Sequence, residues 1–158
     1  MINRSILGWR EWVALPDLKL AGIKAKVDTG ARSSALHAFS IEPYRKGGQR
    51  WVMFAIHPIQ NCSDESIECH APVKDRRIVM DSGGHKQRRY VIETKMVLGQ
   101  TVLSAEMTLT NRDSMIFRML LGRTALDTRF IVSSGESYLQ GLPDDALYQR
   151  LLEVKDER

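Results

Sequence analysis

Apolar and polar positions alternate along much of the chain. Ile23, Ala25 and Val27 are interleaved with Lys24 and Lys26, a period of two that buries one face of a strand and leaves the other wet. Together with Leu18-Lys19-Leu20 and the intervening Ala21-Gly22, this predicts a β-hairpin over 18–27. Further strands are expected at Trp51–Ile56, Arg77–Met80, Arg89–Thr94, Thr101–Leu109 and Met115–Leu121, with tight turns at Gly47-Gly48 and Gly83-Gly84. The segment 61–73, with its Ser, Asp, Glu and Pro, reads as a loop. Two stretches have helical character. Gly122–Phe130 is expected to hold a short helix around Thr124-Ala125-Leu126. Pro143-Asp144-Asp145 opens a second, since proline suits the first turn and carboxylates suit the positive end of the dipole. Leu147, Leu151 and Val154 then recur at helical spacing, and the charged tail after Lys155 is expected to fray. Many short strands with few helices make the fold mostly β, closed or sandwiched.

Composition narrows the class. At 158 residues, 43% apolar and 27% charged, the chain has the make-up of one soluble globular domain. No run approaches the roughly 18 apolar residues of a membrane helix. Met1-Ile2-Asn3-Arg4 does not open a signal peptide, so a cytoplasmic location and no membrane partner are expected. The net charge of +4 is a mild bias. Aromatics are only 7%, and Trp9, Trp12 and Trp51 read as packing positions, so a nucleic-acid partner is not expected.

Two stretches carry chemistry. In Lys24-Ala25-Lys26-Val27-Asp28-Thr29-Gly30-Ala31 a half-buried strand ends in Asp-Thr-Gly-Ala. The strand fixes a carboxylate at its end, threonine can bond across to a partner loop, and glycine allows close backbone approach. Alone, the triplet is also what an ordinary strand-to-turn transition offers. The second stretch, Met119-Leu120-Leu121-Gly122-Arg123-Thr124-Ala125-Leu126, is an apolar strand running into Gly-Arg and a short helix.

With both stretches in this order, the chain resembles the retroviral aspartic protease family. Between them, Ile78 through Gly83-Gly84 to Val91 fits that family's flap, the hairpin that closes over substrate. Asp81-Ser82-Gly83 is set aside as a second catalytic triplet: it follows Asp28 too closely for a second lobe and lacks a following apolar residue. Residues 10–140 more narrowly resemble the bacterial retropepsin-like family often labelled "ATP-dependent zinc proteases" and associated with ATP-grasp ligases that modify ribosomal proteins. Supporting segments are Asp28 through Ser33-Ser34-Ala35-Leu36-His37-Ala38, Val79 through Ile92, and Leu109 through Leu126.

The resemblance implies a single-lobe, closed acid-protease barrel over 1–142; the C-terminal helix and tail over 143–158 are read from the residues themselves and have no counterpart in the viral enzymes. It implies Asp28, Thr29 and Gly30 as catalytic, and Ala31, Ser82, Gly83, Gly84 and Arg88 as substrate-binding. Gly122 and Arg123 would be structural. One Asp28 is half a site, so a homodimer with an Asp28–Asp28' dyad is expected, hydrolysing a peptide or isopeptide amide with no cofactor. The basic flap (Lys74, Arg76, Arg77, Lys86, Arg88, Arg89) would favour an acidic, glutamate-rich substrate, although charge runs are often plain surface. An ATP-grasp ligase is a candidate partner. The alternative is a non-catalytic module that docks on such a ligase.

One position departs from the pattern. The second residue after the glycine is acidic in retroviral enzymes and pairs with the arginine of Gly-Arg; here it is Arg32, leaving Asp127 and Asp113 as candidate partners of Arg123. Cys62, Cys69 and His70, with His57 nearby, lack a Cys-x-x-Cys pair, so no metal is expected. His37 is expected to pack or to line the substrate pocket rather than act as a base.

Overall fold

The computed structural model describes residues 4–58, 65–80, 83–111 and 116–156. The strands are β1 (Ser5–Leu7), β2 (Arg10–Leu15), β3 (Leu20–Val27), β4 (Ser34–His37), β5 (Phe39–Lys46), β6 (Gln49–Ile56), β7 (Ile67–Pro72), β8 (Asp75–Met80), β9 (Lys86–Leu98), β10 (Thr101–Thr110), β11 (Met119–Leu121) and β12 (Phe130–Val132). The helices are α1 (Arg123–Leu126) and α2 (Asp145–Asp156).

Six strands close on themselves in the order β10-β4-β11-β3-β2-β9, with β9 pairing back to β10. Closure leaves these strands without a bare edge. The inward positions of β3, Ile23, Ala25 and Val27, face Met119 and Leu121 of β11 in one core with Leu36, Ile92, Met96 and Met107. The fold is thus the expected mostly-β closed barrel with two helices. A second sheet, β5-β6-β7, covers part of it. Its inner face (Val52, Phe54, Ile56, Cys69, Ala71) joins the same core, while Tyr44, Trp51 and His70 lie on the other side, where Tyr44 bonds His70 at 2.9 Å. Strand β8 pairs only with β9 and projects with it as a hairpin, and β1 pairs in parallel with β12 as a separate two-stranded ribbon.

Several expectations shift. The 18–27 hairpin does not turn at Ala21-Gly22: β3 runs straight through both, and the hairpin joins β2 to β3. The turn is a 3-10 turn at Pro16–Leu18, with Lys19 in the left-handed region at φ 59°. Pro16 presets the turn, and Gly22 is a strand residue lying against the Trp12 ring. The expected loop over 61–73 contains β7, because Ile67, Cys69 and Ala71 alternate inward. The expected helix over 122–130 is one turn only, and Phe130 belongs to β12. The C-terminal helix starts as read, with its first turn fastened by Asp144, whose Oδ1 accepts the Leu147 amide at 3.0 Å. Leu147, Tyr148, Leu151 and Leu152 seat it on Ala14 and Val97 of the barrel. That burial, with Asp145 adding to it, pushes the Tyr148 phenol up. No helix among the described residues is long and apolar enough to cross a membrane.

One buried charge organises the ends of the barrel. Glu11 on β2 is fully buried. Its carboxylate accepts the amides of Gly8 (2.7 Å), Leu139 (2.9 Å) and Gln140 (3.1 Å). Gly8 sits where any side chain would strike the Glu136 carbonyl. Truncating Glu11 leaves one buried donor (Gly8) and two partly buried ones unmet, the buried one at roughly 1–3 kcal/mol. Glu11→Ala is expected to lower the Tm by about 2–12 °C, and Glu11→Gln by less, as measured by thermal unfolding at neutral pH.

Candidate active site

Asp28 follows directly on β3. Its amide donates to the Leu121 carbonyl at 2.9 Å, continuing the parallel β3–β11 ladder (Ala25 with Met119, Val27 with Leu121) by one step. The chain then turns sharply. Ala31 N–H returns to the Asp28 carbonyl at 3.3 Å, and Gly30 N–H donates to Asp28 Oδ1 at 3.0 Å. The carboxylate is therefore held by its own loop, half-buried, with one oxygen aimed by a backbone donor.

The Gly122-Arg123 corner locks this loop from behind. Arg123 N–H donates to the Ala31 carbonyl at 2.7 Å and Thr124 N–H to the Arg32 carbonyl at 3.0 Å. Gly122 N–H donates to the buried Ser34 Oγ at 3.0 Å. A Cβ on Gly122 would lie 2.3 Å from the Ser33 carbonyl carbon, so only glycine permits this approach. The Arg123 side chain reaches the Thr29 carbonyl at 3.4 Å. It makes no ion pair with Asp127 among the described residues, and Asp113 lies outside them. Among the described residues, the Thr29 carbonyl is the acceptor the Arg123 side chain reaches.

A groove of about 870 Å³ opens over Asp28. One wall is Gly30, Ala31, Arg32, Ser33 and Ala35, with Leu120 and Thr124; the other is Arg77–Met80 of β8 with Arg89, Glu106 and Thr108. The β8–β9 hairpin overhangs it as the expected flap would, with Ile78 and Met80 exposed. Its side chains are cross-braced. Arg77 donates to Asp75 at 2.8 Å and to Glu106 at 2.6 Å. These bonds, Glu106 first, hold the guanidinium pKa above its ordinary value, and Arg77 in turn lowers that of Asp75. Lys74 and Glu93 pair at 2.7 Å, raising the lysine and lowering the glutamate. The basic flap of the sequence is therefore partly neutralised by its own carboxylates.

Of the residues singled out from sequence, Asp28, Gly30 and Ala31 line the groove. Thr29 faces a smaller cavity of about 410 Å³ with Arg4, Arg123, Leu126 and Phe130. Gly83, Gly84 and Arg88 are exposed and outside the groove's lining. Ser82 and Cys62 lie outside the described residues. His37 is buried at the end of β4, its amide donating to the Arg118 carbonyl. Cys69 and His70 point to opposite faces of β7, Cys69 into the core and His70 toward Tyr44 and Glu68. The described residues contain no cluster of three metal-ligating side chains. Sequence reasoning placed Arg89 only among the flap charges and Ser34 only within the motif segment, and it missed Glu106 and Thr108. Arg89 is nearly buried and donates to Gln87 (3.0 Å) and Thr108 (3.5 Å), and Thr108 donates to the Ser34 carbonyl. The registers of β10 on β4 and on β9 bring them together.

The Asp-Thr-Gly loop, the Gly-Arg corner and the overhanging hairpin agree with a comparison of the sequence: residues 6–143 match the model of the RimB-like family, described as retropepsin-like aspartic endopeptidase RimB. The chain belongs to that family. Curated relatives include a "probable alpha-L-glutamate ligase" of Shewanella pealeana, 44% identical over 97% of this chain, and one of Parasynechococcus marenigrum, 42% identical over all of it. The chain spans 33% and 34% of those relatives' lengths, about a third. Among solved structures, Legionella pneumophila Lpg0085, a protein of unknown function, shares the fold with a TM-score of 0.73 at 26% identity, covering 87% of this chain and 99% of that one.

The corner gives a direct test of the RimB-like scaffold. Gly122→Ala is expected to cost roughly 1–3 kcal/mol through overpacking against backbone. Gly135→Ala, which meets nothing within 4 Å, should stay within about 0.5 kcal/mol. Paired denaturant titrations of the two variants provide the check.

Proposed function

We propose that the chain is one subunit of an aspartic peptidase whose active site is completed by a second copy. The observation that carries this reading is the position of Asp28, held by strand pairing and backbone donors at the floor of a groove under a hairpin. Two such carboxylates facing one another share one proton. The ionised member takes a proton from water, which attacks the scissile carbonyl. The protonated member donates to that carbonyl oxygen and so stabilises the tetrahedral intermediate. The leaving amine is protonated as the intermediate collapses. No covalent intermediate forms on the protein.

The β1–β12 ribbon supports the twofold arrangement. Ile6 and Ile131 are about half exposed on it, and the cavity beside it holds Thr29. A second copy seated there would approach from the Asp28 loop's own side. An acidic, glutamate-rich tail is the substrate we favour. Arginines line the groove, and the curated relatives are named glutamate ligases. A ligase that appends glutamate is correspondingly the partner we favour, in the cytoplasm. The rival reading is a non-catalytic module docking on such a ligase. It draws on the chain's one-third share of those relatives, but gives Asp28 no task.

Purified protein is expected to cleave glutamate-rich peptides, and Asp28→Asn to reduce the rate by at least about 1000-fold while leaving the Tm nearly unchanged. Sedimentation during turnover should reveal a dimer. Full activity in Asp28→Asn, or turnover by a strictly monomeric species, would sink the dyad.

A further inference from the structure

Three arginines border the groove, and the structure treats them differently. Arg77 is paired with Asp75 and Glu106. Arg89 is buried and donates to Gln87 and Thr108. Arg32 is exposed, four residues after Asp28 on the same loop. Its backbone is fixed, because its carbonyl accepts Thr124 N–H at 3.0 Å and its neighbour Ala31 accepts Arg123 N–H at 2.7 Å. No carboxylate among the described residues pairs with its side chain. A cation on a rigid loop, beside the reacting carboxylate and not quenched by the described acids, is placed to read charge. The retroviral pattern would put an acidic group at this point of the loop, which would repel an acidic side chain.

We infer that Arg32 is the specificity determinant of the site, binding the carboxylate of an acidic substrate side chain next to the scissile bond. This rests on the peptidase reading above and assigns its selectivity to one residue. A guanidinium matches a carboxylate with two parallel N–H donors, whereas a glutamine side chain offers one acceptor oxygen and no charge. Selection therefore comes from the loop that carries the nucleophile-activating carboxylate. The flap's lysines and arginines contribute a diffuse field that salt screens.

Binding and turnover separate the two claims. Calorimetry on the full chain carrying Asp28→Asn would compare a Glu-containing hexapeptide with its Gln isostere. The Glu peptide is expected to bind about tenfold tighter or more, the scale of one charge-assisted contact. Adding Arg32→Gln should bring that ratio close to one, and Arg32→Glu should turn the preference toward a Lys-containing peptide. Arg45→Gln, which removes an equal charge on β5 away from the groove, should leave the ratio in place. Equal affinities for the two peptides, a ratio that survives Arg32→Gln, or an equal loss in Arg45→Gln would overturn the assignment. If wild-type protein binds with the expected ratio but hydrolyses neither peptide, the peptidase reading fails and the subsite stands.

Discussion

The contact on which the site depends is the approach of Gly122 to the Ser33–Ser34 peptide. It lets the amide of Gly122 reach Ser34 Oγ and those of Arg123 and Thr124 reach the carbonyls of Ala31 and Arg32. Two chain segments nearly a hundred residues apart become one rigid corner. Asp28 needs that corner because its loop would otherwise be an unsupported turn. The donors involved are backbone N–H groups, whose positions are set by the fold and not by rotamers, so the carboxylate is oriented before any substrate arrives.

The barrel explains why so short a chain can hold such a corner. β11 contributes only three residues, yet it lies between β3 and β4 and is bonded on both sides. Met119 and Leu121 anchor it in the core. Closure between β9 and β10 removes the remaining free edge of the six strands. The hairpin that overhangs the groove is the part left outside this closed cycle. Its exposed ion pairs contribute little to stability; what ties it to the closed cycle is the long β9 strand, whose C-terminal half is a barrel stave.

Much of this was legible in the residues. Period-two alternation marked β3, β6 and β10, and two short motifs marked the corner. Their order along the chain was enough for the fold class. What could not be read was partnership across the barrel. The strand arm 23–27 is visible in the pattern, but its start and its neighbour are not, because Ala21-Gly22 has the composition of a turn and the actual turn rests on Pro16. Glu11 carries no local signal of burial; it is held by three amides, two of them contributed by residues 139 and 140. Arg89 read as one more flap charge, yet it is folded into the groove wall. Local pattern reports which face of a strand is wet, and says nothing of which distant strand brings a donor to it.

The Glu11 carboxylate has a mechanical meaning as well. It binds Leu139 and Gln140, and the adjoining segment continues the grip, with Trp9 N–H donating to the Glu136 carbonyl and Val27 N–H to the Trp9 carbonyl. Val27 immediately precedes Asp28. A short relay of main-chain bonds thus joins the 136–140 segment to the strand end that carries the acidic group, so the two ends of the described chain are fastened at one place.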